Sequence, residues 1–561
     1  MAIKPYRKSQ GEILSSSIAR QIKKVGIYWH TIRYLKPSQI TARIRFRLAR
    51  PRPRDVASVM CHPSEEWVNR ADRPISMVDL SRFTFLNRTY DLDEIGWDNP
   101  AVDKLWRYNL HYFDDLTAKD AATRSAAHRA LIERWITENP PASGSGWEPY
   151  PVSLRIVNWI KWLLAGNIPS PAMLNSLATQ ADWLTQRLEY HLMGNHLFVN
   201  AKALVFAGLF FEGADADRWL SLGLNLLRQE IDAQILADGG HFELSPMYHA
   251  LILEDVLDLY NVCRAYSHRL QGRNPLPQNL ALRMLRWLSV MTHPDGQIAF
   301  FNDAAFGIAP TLSELTAYAE RLGLQKPSKL ADGIIHLAES GYIRIQQDRI
   351  VALLDVGQIG PRHQPGHAHA DTLSFELSID NVRVLVNSGT SEYGVGPERS
   401  RQRGTAAHNT VMVDGCDSSE VWGGFRVARR AEPQGLSIKQ SNDEVSIACS
   451  HSGYRRLSGR VIHTRRWHFV PGCLTIVDEF NGRVCKAVSW VHVSPDIRFR
   501  RVQDNEFIAT VGERPVRIAY LAPSAPDLEN TTWHPEFGRT LPNQSLSAAS
   551  RGEPITTSVR W

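Results

Sequence analysis

A chain of 561 residues is longer than one hydrophobic core organises, so two or more domains are expected. With 43% hydrophobic and 22% charged residues it is neither disordered nor fibrous. Its six cysteines form no CxxC pair, which argues against a zinc-finger or thioredoxin-type site, and they are too sparse for a disulfide scaffold.

The net charge of +6 is unevenly placed. Residues 1–50 carry twelve Lys and Arg against one acid, Glu12, so this arm holds +11 and the remainder −5. Such an arm reads as a contact for an anionic membrane surface or an acidic polymer, or as a solvated basic face. Basic residues gathered in an arm, without a recognisable module, argue against nucleic-acid binding. No run reaches about 18 apolar residues, so no transmembrane helix is expected. The opening residues lack an apolar leader core, which makes a cytoplasmic location the default. Residues 1–100 read as an irregular, basic lead-in.

Residues 101–335 have helical apolar spacing. "SLRIVNWIKWLLAG" (153–166), "NHLFVNAKALVFAGLFF" (195–211) and "LILEDVLDLYNVCRAY" (251–266) each carry a broad apolar face. Breakers such as "NPPASGSG" and "ADGG" separate them, which predicts helical hairpins stacked or closed into a ring. The segments around Arg107, Trp147 and Arg155 are aromatic and basic. They read as a cleft lining in which arginines meet carboxylates, or as packing on the helical surface.

Two motifs stand out in this half. In "GNHLFVN", Asn195 and His196 follow a glycine at a helix start, where Asn195 could cap the helix and His196 could be a core histidine. In "DGGHFELSPMYH", Ser245 and Pro246 open a helix with Tyr248 and His249 in its first turn. The positive end of a helix favours a phenolate or an anionic ligand; an ordinary packed aromatic pair is the alternative.

Residues 336–561 change grammar to short β-rich runs bounded by turns, which predicts an antiparallel β-sandwich. Here "QPGHAHADTLSFEL" sets His367, His369 and Asp371 two apart, so a strand running from its start would point all three to one face. "GTAAHNTVMVDG" adds His408 and Asn409. Histidines from two segments plus an oxygen ligand make the donor set of a Zn²⁺ site, with Asp371 suited to orienting an imidazole.

"GNHLFVNAKAL", "DGGHFELSPMYH", "GHAHADTLSFEL", "VNSGTSEYG" and "AAHNTV", in this order, resemble the heparinase II/III-type polysaccharide lyases and the related oligo-alginate lyases. The resemblance implies an α+β multidomain chain: an incomplete (α/α) toroid, then an antiparallel β-sandwich, with the active site between them. It implies β-elimination on an acidic, uronate-containing glycan, a link to bacterial exopolysaccharide through residues 1–100, and a periplasmic location. By resemblance, Asn195 and His367 neutralise the uronic carboxylate with His196 beside them. Tyr248 is the catalytic tyrosine and Tyr393 a second candidate. Arg107, Trp147, Arg155 and His249 would contact the glycan. His369 and His408 match ligands of a structural Zn²⁺, and Asn387 stands where the family has an aspartate, a weaker donor. Val199 also departs from a position that is often acidic in relatives.

Two other readings remain at this point. The chain could bind or assemble glycans on the same fold without turnover. It could also be a glycoside hydrolase, which needs two opposed carboxylates; Glu148, Glu243 and Asp303 are the acids available.

Overall fold

The computed structural model describes residues 21, 24–56, 59–347, 349–441 and 443–561. The lead-in is more ordered than its sequence predicts: it holds a helix over 24–32, the helix Pro37–Leu48, and a hairpin of Arg82–Phe85 with Arg88–Asp91.

Helices then dominate until Arg321, and they start where local chemistry dictates. Ser170 caps Pro171–Gln186, Ser245 caps Pro246–Ala265, and Thr311 with Glu314 forms a capping box on Leu312–Arg321. Gly194–Phe210 is apolar on all sides and lies inside the others; His196 is its only residue that is not buried. Its closest partner is Ala214–Gln234, where a Cβ on Gly208 would come within 2.5 Å of the Leu220 backbone nitrogen. Three helices are further tied by buried charge. Lys202 reaches Asp255 and Asp258, both at 2.6 Å, and Lys161 also pairs with Asp258. Removing one partner would strand an uncompensated buried ion, so this cluster fixes Pro149–Leu164, Gly194–Phe210 and Pro246–Ala265 relative to each other.

From Gly333–Leu337 onward strands dominate, and the strand pairs are antiparallel. The first five strands form a five-stranded sheet ending at Val382–Leu385. An eight-stranded sheet and a four-stranded sheet follow. The strand Ile350–Asp355 is buried on both faces, and alternation explains how. Ile350, Ala352 and Leu354 share a core with Trp467 and Ile476 of the eight-stranded sheet and Leu546 of the four-stranded one. Val351 and Leu353 instead pack with Trp287, Val290 and Phe301 of the helical half. The five-stranded sheet is therefore the layer that joins the two halves, and the site forms beside it.

Candidate active site

Tyr248 sits in the first turn of Pro246–Ala265, where the Ser245 hydroxyl accepts the Tyr248 amide at 3.2 Å. Ser245 also donates to the carbonyl of Asp303 at 2.5 Å, which links the helix start to the loop carrying that carboxylate. The Tyr248 ring lies 3.9 Å from the His367 ring, and its hydroxyl is 3.0 Å from that of Tyr393. Burial pushes both phenols well above the usual tyrosine range, so both are neutral at physiological pH.

Asp303 is the hub. Its carboxylate meets His367 Nδ1 at 2.9 Å, His369 Nε2 at 2.8 Å and both terminal nitrogens of Arg399. Burial opposes its charge, but the guanidinium and the hydrogen bonds outweigh that and hold it well below the usual carboxylate range. An ionised Asp303 fixes His367 with its proton on Nδ1 and Nε2 turned away from the hub.

Asn195 follows Gly194, and the helix cap is Met193, so capping is not the role of Asn195. Its buried Oδ1 has no hydrogen-bond partner among the described residues. Gly194 is required here: φ is +54°, and a Cβ would fall 2.2 Å from Gln364 Nε2 and 2.6 Å from Glu243 Oε1. Glu243 connects this corner to the hub. Its Oε1 accepts from Gln364 Nε2 at 3.5 Å, and its Oε2 lies 3.5 Å from His367 Nε2 without a hydrogen bond. Burial pushes its carboxyl up. His196 donates from Nδ1 to Glu189 at 3.1 Å and packs 4.6 Å from Tyr150. Burial lowers the affinity of His196 for a proton, but Glu189 more than offsets this and the imidazole lies above its ordinary value.

The histidine motif folds differently from its predicted strand. Pairing begins only at Phe375, and 361–374 is a series of turns. His367 and His369 still converge, on Asp303. Asp371 does not join them: it accepts the Asn302 amide at 3.0 Å. Orienting the imidazoles falls to Asp303 instead.

Four residues expected on the glycan face are structural. Arg155 is fully buried, lies 3.8 Å over the Trp135 ring, and bonds Gln180 at 2.9 Å and the His111 carbonyl at 3.2 Å. Trp147 packs in the same core, 5.8 Å from Trp135. Arg107 pairs with Asp98 and bonds the Val102 carbonyl. His249 is sealed against Trp287, with Nε2 donating to the Met284 carbonyl at 2.9 Å; burial pulls its pKa to about 4. Arg155, Trp147 and His249 found partners inside the helical core, and Arg107 a partly exposed partner in Asp98, which apolar spacing alone does not reveal. Arg399 was the residue missed: nothing in the sequence pairs it with Asp303.

The expected Zn²⁺ ligands meet only in part. His369 Nδ1 and His408 Nε2 face each other at 3.1 Å. Asn387 is spent on the backbone: its amide donates to the Phe300 carbonyl at 2.9 Å and its oxygen accepts the Asn409 N–H at 3.0 Å. With His369 donating to Asp303, its Nδ1 carries the lone pair and accepts from His408, whose Nδ1 is left buried and unpartnered. A proton thus joins the two imidazoles. Among the described residues no three His, Cys, Asp or Glu side chains gather to hold an ion, and this donor set does not fit a closed tetrahedral site.

The chain matches the family model "Heparinase II/III N-terminus" over residues 34–321 and "Heparinase II/III-like, C-terminal" over 331–561. It is 24% identical over 451 residues to a heparin-sulfate lyase of Bacteroides stercoris, covering 70% of this chain and 64% of that protein. It is 32% identical over 363 residues to a heparin-sulfate lyase of Pedobacter heparinus, covering 57% of this chain and 54% of that one. The chain thus spans less than two thirds of these curated relatives. The solved structure of heparinase III superposes with a TM-score of 0.65 at 20% identity, covering 80% of this chain and 76% of that one. With both family models matched in sequence order across nearly the whole chain, the protein belongs to the heparinase II/III family.

Proposed function

We propose that the chain is a polysaccharide lyase that cleaves an acidic, uronate-containing glycan by β-elimination. On this reading the helical half is an incomplete (α/α) toroid, the strand half a β-sandwich, and the glycan lies along the seam where Tyr248, His367 and Asn195 meet. The observation that carries the proposal is the Asn195 amide oxygen, buried and without a partner among the described residues, in the corner where Glu243 abuts Gly194 and reaches within 3.5 Å of the His367 imidazole that packs on Tyr248. A buried polar group without a partner costs stability and points to a ligand.

The chemistry follows from proton affinities. The proton alpha to an ionised carboxylate is very weakly acidic, so the carboxylate must be neutralised as charge develops on it. Asn195 donates to it from Nδ2, and His367, whose Nδ1 proton Asp303 holds, donates from Nε2 as the imidazolium. His196, lifted by Glu189, has a proton affinity suited to a base and takes the C5 proton. The electron pair forms the C4–C5 double bond and expels O4. Tyr248 gives O4 its proton, and Tyr393 passes one back to Tyr248. His196 then releases its proton to solvent and Tyr393 takes one up from solvent, which closes the balance.

A hydrolase is less well supported. Asp303 is consumed by Arg399 and two histidines, and Glu148 pairs with Lys104 at 3.0 Å. The test is a panel of acidic polysaccharides, including heparan sulfate, alginate and bacterial exopolysaccharides. A rise in unsaturated-uronate absorbance that disappears in Tyr248→Phe is expected. New reducing ends without that absorbance would indicate hydrolysis and overturn the proposal.

A further inference from the structure

The lead-in carries surface chemistry that the active site does not use. Between Glu12 and Asp55 the sequence has eleven Lys and Arg and no acid. Its described helices are also unusually apolar on the outside. Val25, Trp29 and Ile32 fall at i, i+4 and i+7, one stripe of a helix, and all are exposed: Val25 69%, Trp29 65%. Ile40, Ile44 and Leu48 form a second exposed stripe on Pro37–Leu48, Leu48 at 73%. Seven of the eighteen exposed large hydrophobic residues of the described chain fall within these 25 positions. Such a concentration marks an interaction surface.

These helices are anchored from behind. Phe46 packs 4.3 Å from His191 and lies under the Arg187 guanidinium at 3.6 Å. Tyr28 meets Trp422 at 4.9 Å, Gln39 donates to the His363 carbonyl, and Arg430 lies 4.2 Å over Tyr34. With these contacts made, the apolar stripes face outward beside Arg43, Arg45 and Arg47, which are exposed. A shallow groove of about 160 Å³ runs along them, lined by Leu35, Gln39, Ile40, Arg43, Ile44 and Arg47.

We propose that this face docks the protein on an anionic phospholipid bilayer, with the aliphatic and Trp side chains at the acyl boundary and the arginines among the headgroup phosphates. Charge complementarity selects the occupant. An anionic polysaccharide satisfies the arginines but offers nothing to Ile32, Ile40, Ile44 and Leu48, whereas an anionic bilayer satisfies both sets.

The test is co-sedimentation of the whole chain with vesicles of phosphatidylcholine alone and with about a third phosphatidylglycerol, at about 0.1 and 0.5 M salt. Binding to the anionic vesicles at least tenfold above the neutral ones, weakened by salt, is expected. An Arg43→Glu/Arg45→Glu/Arg47→Glu variant and an Ile40→Ser/Ile44→Ser/Leu48→Ser variant, each with an unchanged melting temperature, should each lose at least tenfold in binding. No sedimentation with anionic vesicles overturns the proposal. So does equal binding by either variant. If light scattering shows a dimer that the Ile→Ser variant dissolves, while vesicles are ignored, the face is a self-interface and the proposal fails.

Discussion

The Asp303 carboxylate and the Arg399 guanidinium face each other across 96 residues of sequence, both fully buried, with Arg399 Nη2 at 2.8 Å from one oxygen. Each carboxylate oxygen then serves one imidazole, Oδ2 that of His367 and Oδ1 that of His369. Replacing Asp303 by Asn would leave a buried guanidinium without its counter-ion. The expected cost is about 3–5 kcal/mol of stability, read as a lower melting temperature. In the fraction still folded, turnover should fall further than glycan binding, because His367 loses the carboxylate that holds its Nδ1 proton and orients its ring.

Tyr248→Phe removes one oxygen and keeps the ring that stacks on His367. We expect kcat to fall ~10²–10⁴-fold, the range for losing a positioned acid. Glycan Kd and melting temperature should stay close to wild type. Retained turnover would remove Tyr248 from the mechanism.

The pH dependence has a definite sign. His196 must be deprotonated to act, and Glu189 raises its pKa, so kcat/KM should climb with pH along a limb centred above the ordinary imidazole value. Glu189→Gln removes the raising charge and should shift that limb to lower pH. Because burial holds Tyr248 well above the usual range, no falling limb from this phenol is expected below about pH 10. An acidic limb that does not move in Glu189→Gln would rule out His196 as the base.

Metal removal should leave the native protein alone. Chelator or added Zn²⁺ is expected to give no shift in melting temperature, since Asn387 is bound to Phe300 and Asn409. Asn387→Asp places an anionic oxygen against the Asn409 amide, one residue from His408. That variant should gain Zn²⁺-dependent melting, because a ligand that binds only the folded state raises its stability.

Arg155 separates packing from substrate contact. Arg155→Ala should cost about 2–5 kcal/mol, as for truncating a buried side chain, while KM stays unchanged. A raised KM with unaltered melting would restore Arg155 to the glycan face.

What the sequence made legible was local. The Ser245–Pro246 start, the apolar helix after Gly194 and the alternation of strands such as Glu444–His451 follow from neighbours along the chain. The motifs also named Tyr248, His367 and Tyr393, which the fold brings together although only Tyr248 lies at the start of a regular element. Arg155 and Trp147 misled because a helix surrounded by others has no outer face, so polar heads there turn inward. Asp303 was visible only as one acid among several. Its role depends on Arg399 and on Asn302, which adopts a left-handed backbone at φ +58° beside it, a conformation that spacing does not encode.

The helix Gly194–Phe210 shows water only at His196, and its Lys202 must meet two aspartates on another helix. One inserted residue would swing everything beyond it by about 100°. Depending on where it fell, it would misplace the imidazole or tear the lysine from its counter-ions. Descendants of this chain can therefore lengthen their loops and recolour their surfaces, but this helix has no tolerance for insertions. Its interior acts as the gauge that keeps the reacting groups in register.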